Sequence, residues 1–240
     1  MELKEMITRR RSVRHYRAEA VDEKTMAGIR AVMAGLEPLV SGAGVEARMI
    51  RSEQASFLQK WRNPHFLAIF AQETDDALMN VGFMYQQLDL YLQSLGLGTC
   101  WVGLGWLNDG EAAPEGMKLA VMMAFGYPDG VTERADGAEF NRKAMAEITD
   151  QADDRLEVVR LAPSATNSQP WYFTHDGEVL HAYRESLGRI KRRTHGRLNA
   201  IDMGIALAHL RVSYPETFRF WKEAAPRIVD GYDYVGSVQL

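Results

Sequence analysis

The sequence predicts an α+β fold in which helices and strands are mixed and the second half of the chain loosely repeats the first. Three observations carry this expectation. The segments "MNVGFMYQQLDLYL" and "AIDMGIALAHLRVS" both read as long core helices with a glycine near the start. Short apolar runs, "HFLAIFAQ" and "KLAVMMAFGYP", read as buried strands. In "WYFTHDGEVLHAYRE" the pair Asp176-Gly177 marks a hairpin between two strand-like runs.

Taken in order, residues 2–10 read as a short helix, followed by an extended basic segment through Tyr16. Asp22 is placed to cap a second helix running to about Ala34. The clearest element is "DDALMNVGFMYQQLDLYLQSLGLG". There Leu78, Val81, Tyr85, Leu88, Leu92 and Leu95 recur at spacings of three and four, one apolar face of a helix. Thr74 or Asp75 caps its start, and Gly96 suits the left-handed position after its end. "SLGLGTCWVG" is then a helix stop followed by a closely packed strand, and Gly126 and Pro128 close the next one.

"DGVTERADGAEFNRKAMAE" is polar and glycine-containing, the best linker in the chain. "DDRLEVVRLA" is helical and leads into the small-residue loop "LAPSATNSQPW". Beyond the hairpin, "GRIKRRTHGR" is basic without aromatic interleaving and reads as a solvated loop. "LNAIDMGIALAHLRV" is a further amphipathic helix, and "YDYVGSVQL" alternates like a strand.

At 240 residues with 46% hydrophobic and 25% charged side chains, the chain can bury a proper core as one large domain or two small ones. Its net charge of −4 offers no global attraction for nucleic acid, so an anion site has to be a local cluster of Arg and Lys. Cys100 is the single cysteine, which leaves no internal disulfide and no multi-cysteine metal site. The six histidines share no ligand spacing, and no G-x-S-x-G elbow or P-loop occurs. No run resembles a signal peptide or reaches transmembrane length, so a cytoplasmic protein with no membrane or nucleic-acid partner is expected.

Arg9, Arg10, Arg11, Ser12 and Arg14 place guanidinium forks and a hydroxyl in one compact stretch. Such forks match the oxygens of a phosphate monoester. Taken by charge alone, the same stretch reads sooner as a solvated basic helix end favoured by the helix dipole. "SLGLGTCWVG" is not a dinucleotide fingerprint, because it follows a helix rather than a strand and its glycine spacing is wrong. Val102 and Gly103 can nonetheless present backbone N–H groups to a flat ligand, since glycine permits close approach. Arg142 and Lys143 are an ordinary surface pair unless the fold brings them to the first arginine group.

Together "RRSVR", "LGLGTCWVG", "AFGYP", "RKAM" and "APSATNSQPW" resemble the FMN-dependent nitroreductase family. In that family two subunits form an intertwined α+β dimer with FMN at the interface and antiparallel sheets flanked by helices. The resemblance implies that Arg10, Ser12 and Arg14, with Arg11 beside them, contact phosphate, ribityl and flavin ring. It makes Arg142 and Lys143 a second phosphate grip, and puts Val102 and Gly103 near the reactive ring nitrogen. Pro163, Ser164, Ala165 and Asn167 become the wall from the other subunit, with Gln169 contacting the ligand or bracing that loop.

The order of the motifs departs from the family's. The small loop ordinarily precedes the long helix, but here it follows the glycine-rich turn. "AGLEPLVSGAG" stands where the first half should carry that loop, and nothing like "RRSVR" precedes the loop in the second half. The losses are complementary, so the chain is expected to be a tandem-fused, single-chain pseudo-dimer. Residues 1–135 form its first half and residues 136–240 its second, with one FMN in a composite site. A monomer then suffices, a homodimer being the alternative.

The resemblance further implies a ping-pong cycle in which NADH or NADPH gives hydride to the flavin and a small-molecule acceptor, a nitroaromatic or quinone, takes it away. No metal and no obligatory catalytic side chain are expected. The other reading open to the sequence is a flavin-binding or sensing protein that kept the pocket without turnover.

Overall fold

The computed structural model describes residues 3–57, 65–108, 112–131, 133–135, 137–224 and 226–240, with 189–195 described as backbone only. The chain opens with α1 (Leu3–Arg9) and, after the extended basic segment, α2 (Glu23–Ala34). Asp22 caps α2 by accepting the Thr25 N–H at 3.0 Å. β1 (Val45–Ile50), the short β2 (Ala55–Phe57) and β3 (His65–Ala71) follow. α3 (Asp75–Ser94) starts at Thr74, whose hydroxyl accepts the Ala77 N–H, and stops at Gly96, where φ is +78°. Then come β4 (Gly98–Val102), β5 (Gly105–Leu107) and β6 (Lys118–Gly126). The second part holds α4 (Glu157–Arg160), β7 (Trp171–Asp176), β8 (Val179–Glu185), α5 (Arg189–Ser213), β9 (Arg219–Trp221) and β10 (Tyr232–Gln239).

Two four-stranded antiparallel sheets result, with strand orders β1-β3-β6-β4 and β7-β8-β10-β9. Each reads first, second, fourth, third along its own four strands, and each has its long helix between the second and third. β2 and β5 pair with each other as a separate two-stranded ladder. β3 is buried on both faces. Leu67 and Ile69 face the helices, while Phe66, Ala68 and Phe70 face a smaller cluster covered by Val13 and Tyr16.

α3 and α5 form the centre of the main core. A Cβ on Gly82 would fall onto the Ile201 carbonyl and 2.8 Å from Ile205 N; one on Gly204 would fall onto the Met79 carbonyl and 2.7 Å from Phe83 N. Met79 and Phe83 stand to Gly82 as Ile201 and Ile205 stand to Gly204. The contact is therefore reciprocal, as in an isologous two-fold interface. Glycine is required at both places because the backbones themselves meet.

Three sequence expectations are corrected. "GRIKRRTHGR" is not a loop: helix α5 begins at Arg189 and runs through it. Its charges signal solvent, but helix propagation from the packed half costs little for such good helix formers. The polar stretch after β6 is no free linker, because Arg134 N–H donates to Arg9 O at 2.8 Å and Glu133 bridges Arg10. The hairpin pairs Asp176 with Val179, so its two-residue turn is Gly177-Glu178, with Gly177 at φ +57°.

Candidate functional site

The basic segment leaves α1 and runs alongside β4. Val13 N–H donates to Thr99 O at 2.8 Å, and Ser12 bridges Thr99. Gly98 permits this approach, since a Cβ there would lie 2.7 Å from the Val13 side chain. Arg10, Val13 and Tyr16 are buried while Arg11 and Arg14 are exposed, a spacing of three rather than the two of a regular strand. The Ser12 hydroxyl reaches the Cys100 thiol, which burial pushes up to about 11; Cys100 is a packed thiol.

Arg10 is 1% exposed, and its Nε donates to Asp89 Oδ2 at 3.0 Å. Asp89, on α3, also accepts from Gln86 Nε2 at 3.0 Å, Gln93 Nε2 at 3.1 Å and the Thr99 hydroxyl. The surrounding groups are matched in turn. Gln86 Oε1 accepts from Trp101 Nε1, and Gln93 Oε1 accepts from Arg11 N–H. Gln86 Nε2 also lies 3.2 Å from His209 Nε2, while His209 Nδ1 lies 2.7 Å from Val158 O. That pattern makes His209 the Nδ1–H tautomer, and burial lowers it to about 3, so it is neutral. Arg10 Nη2 is buried and has no partner.

The second wall is the loop from Pro163 to Gln169. Thr166, Asn167 and Gln169 all take left-handed backbone, at φ +52°, +58° and +47°. Non-glycine residues held there need outside restraint. Gln169, buried, supplies part of it: its N–H donates to Ser164 Oγ at 2.9 Å, its Nε2 to Asn167 O at 3.0 Å, and its Oε1 accepts Lys143 N–H at 2.7 Å. Lys143 Nζ adds a bond to Gln169 O at 3.0 Å. Arg142 donates to Asn167 Oδ1 at 2.7 Å and to the carbonyls of Leu161 and Ala162.

The Asp202 carboxyl group on α5 accepts the Ala165 N–H at 3.0 and 3.1 Å, and burial lifts it to about 8. Asn80 does the same work in the first half, accepting the Val40 N–H at 2.9 Å and donating to the carbonyls of Val40 and Ala43. Both residues stand two places before the interhelical glycine.

The fold brings the two walls together. Burial, then the nearby charges of Arg10, Arg134 and Arg160, lower Arg142 to about 10. Burial with Arg10 and Arg11 lowers Arg134 as well. Arg134 donates to Arg10 O, and its guanidinium lies 4.0 Å from the Phe140 ring centroid, with that of Arg142 at 5.4 Å. Positive charge is thus concentrated where the basic segment meets the base of the small loop. Gly103 approaches Leu198 on α5, one helical turn before Asp202, so the end of β4 and the loop border the same stretch of helix. Val102 is buried and Gly103 exposed.

Asp89, Arg134, Phe140 and Asp202 were not among the sequence-derived residues. A lone acid inside an apolar helix stripe, as at Asp89 and Asp202, is the signal that could have found two of them. Across the helix pair lies an open cleft of about 360 Å³ bordered by Leu36, Phe83, Gln87 and Arg211. Another cleft, of about 230 Å³, lies by Asp75, Leu78 and Arg184, away from both walls. Among the described residues no group of acidic, His and Cys side chains could hold a metal, and no helix is long and apolar enough to cross a membrane.

The protein family described as "Putative TM nitroreductase" matches residues 2–214 of this chain. No curated protein matches it. Among solved structures, one described as a "putative nitroreductase" from Thermotoga maritima MSB8 is 21% identical. It covers 99% of this chain and 92% of its own, with a TM-score of 0.66. A nitroreductase family protein from Clostridium difficile 630 is 14% identical, covering 61% of this chain and 95% of its own at a TM-score of 0.50. At these identities the likeness is one of fold: helices and antiparallel sheets in a nitroreductase-like arrangement.

Proposed function

We propose that this chain, which belongs to the TM nitroreductase family, is an FMN-dependent NAD(P)H oxidoreductase with one composite flavin site per chain. The observation that carries the reading is the buried, unpartnered Arg10 Nη2 at a junction where burial and the charge of Arg10 lower both Arg134 and Arg142. An orphaned guanidinium donor in a concentration of positive charge fits a phosphate monoester. The residues present therefore suit FMN at its phosphate end. Bound there, FMN would supply hydride and electron transfer, chemistry no side chain of the site offers.

The chain's own groups bind and orient. Arg10 and Arg142 hold the phosphate from opposite walls, Ser12 the ribityl chain, and Arg11 and Arg14 the outer edge. Val102 and Gly103 present backbone N–H groups along the ring, and Pro163, Ser164, Ala165 and Asn167 cover it from the other half. Lys143 and Gln169 serve by bracing that loop. The matching strand orders and the reciprocal Gly82–Gly204 contact support reading residues 1–135 and 136–240 as fused halves of a pseudo-dimer. The open cleft opposite Arg10 is the mate site, without a counterpart of the basic segment among the described residues.

The test is a steady-state assay of the FMN-loaded protein, oxidising NADPH or NADH with a quinone or nitroaromatic as acceptor. Parallel double-reciprocal lines and a loss of FMN affinity of about ten- to a hundredfold in an Arg10→Ala, Arg14→Ala double variant are expected, the scale of a charged hydrogen bond. Full FMN affinity in that variant would contradict the assignment.

A further inference from the structure

We propose that Asp89 is a positioning residue whose task is to aim Arg10, so that the site discriminates phosphorylated from unphosphorylated flavin; this rests on the FMN reading above. The geometry at Arg10 is one-sided. Asp89 engages Nε alone, at 3.0 Å, although a carboxylate beside an arginine ordinarily takes two nitrogens in a fork. Nη2 is left buried without an acceptor. A guanidinium gripped in this way keeps Nη2 for another oxygen-bearing group.

The grip is also stiff. Gln86, Gln93 and Thr99 all donate to the same carboxylate, fixing Asp89 from α3 and from β4. Gln93 additionally takes the Arg11 N–H, which ties the backbone of the basic segment to the same network. Within it the donors of Gln86, Gln93, Thr99 and Trp101 all find acceptors, and Arg10 Nη2 is the donor left over. A buried ion pair made for stability alone gains little, because desolvation offsets the attraction.

The other half of the molecule provides an internal comparison. Asp89 stands seven residues after Gly82, and seven residues after Gly204 stands Arg211, beside the open cleft, which no counterpart of the basic segment enters among the described residues. The acid accompanies the arginine it orients and is absent where that arginine is absent.

The test measures the dissociation constants of FMN and riboflavin, by flavin fluorescence quenching, for the full-length wild type, Asp89→Asn, Arg10→Ala and the double variant. Asp89→Asn should weaken FMN by about tenfold or more and change riboflavin by less than about twofold. In the Arg10→Ala background it should have no further effect on the FMN-to-riboflavin ratio, since the two act as one unit. Unchanged FMN affinity, equal weakening of both flavins, or additive losses in the double variant would each overturn the proposal.

Should Asp89→Asn fail to fold, Thr99→Val removes one of the donors that fix the carboxylate and spares the ion pair. It should lower the same ratio several-fold, and an unaltered ratio counts against the proposal. Wild-type protein that binds neither flavin overturns the parent reading and this one with it. A wild type that prefers FMN alongside an unaffected Asp89→Asn overturns this one alone.

Discussion

Replacing Gly82 by alanine tests the junction on which both halves depend. The new methyl would sit 2.8 Å from Ile205 N and inside the contact distance of the Ile201 carbonyl oxygen, so both obstacles are backbone. No rotamer change relieves such a clash; the helices must part. Overpacking of a tight core costs about 1–3 kcal/mol, and backbone on both sides puts this site at the upper end or above it. Alanine's helix propensity returns about 1 kcal/mol. The net expectation is a loss of roughly 2–3 kcal/mol, or about 5–10 °C in Tm for a chain of this size. Gly204→Ala should match it, because its contacts are the same ones reversed. Gly28→Ala, on α2 with Tyr91 Oη at 3.4 Å as its nearest neighbour, is the control and should gain up to about 1 kcal/mol. Urea and thermal unfolding of the three variants read this directly. Gly82→Ala as stable as the wild type, or a large difference between it and Gly204→Ala, would refute the reciprocal crossing.

Three further outcomes are expected. Burial lifts Asp202 to about 8 from an unfolded value near 3.8, so the folded state holds a proton that the unfolded chain releases, and stability drains away as pH rises from about 4 through 8. Asp202→Asn, imitating Asn80, should therefore gain on the wild type between pH 5 and pH 9 in denaturant titrations; a constant difference would remove Asp202 as the cause. Thr166 holds φ +52° with a β-branched side chain exposed to solvent, so Thr166→Gly should stabilise by about 0.5–1 kcal/mol, and a measured loss would show that its side chain matters more than its backbone. Cys100, buried and with its thiol raised to about 11, should react with a chromogenic disulfide reagent at neutral pH only on unfolding; rapid labelling of the native protein would contradict its packed position.

Most of the helical skeleton was legible because long periodic segments and their caps are local features. Thr74, Asp22 and Gly96 act as their types suggest. β1 and β9 were not legible. β1 is a mixed edge strand and β9 only three residues long, and each is defined by its partner more than by its own pattern. The basic start of α5 misled because charge reports exposure, not backbone conformation. At the site, the basic segment, Arg142 with Lys143, and the small loop stood out as motifs, yet their tertiary meeting did not. Asp89 gives Arg10 its orientation across seventy-nine residues, and Arg134 enters from a stretch that looked like a linker. Gln169 braces the loop, the second of the two roles the resemblance left open to it, and Lys143 holds the same loop, a role that no spacing reveals.

The most direct test of the central claim is an absorbance titration of the purified protein with FMN, followed by anaerobic addition of NADPH and then NADH. Saturation at one FMN per chain, with the bound flavin bleached by at least one of the two nucleotides, is the predicted result. No bound FMN, two per chain, or a bound flavin that neither nucleotide reduces would contradict it.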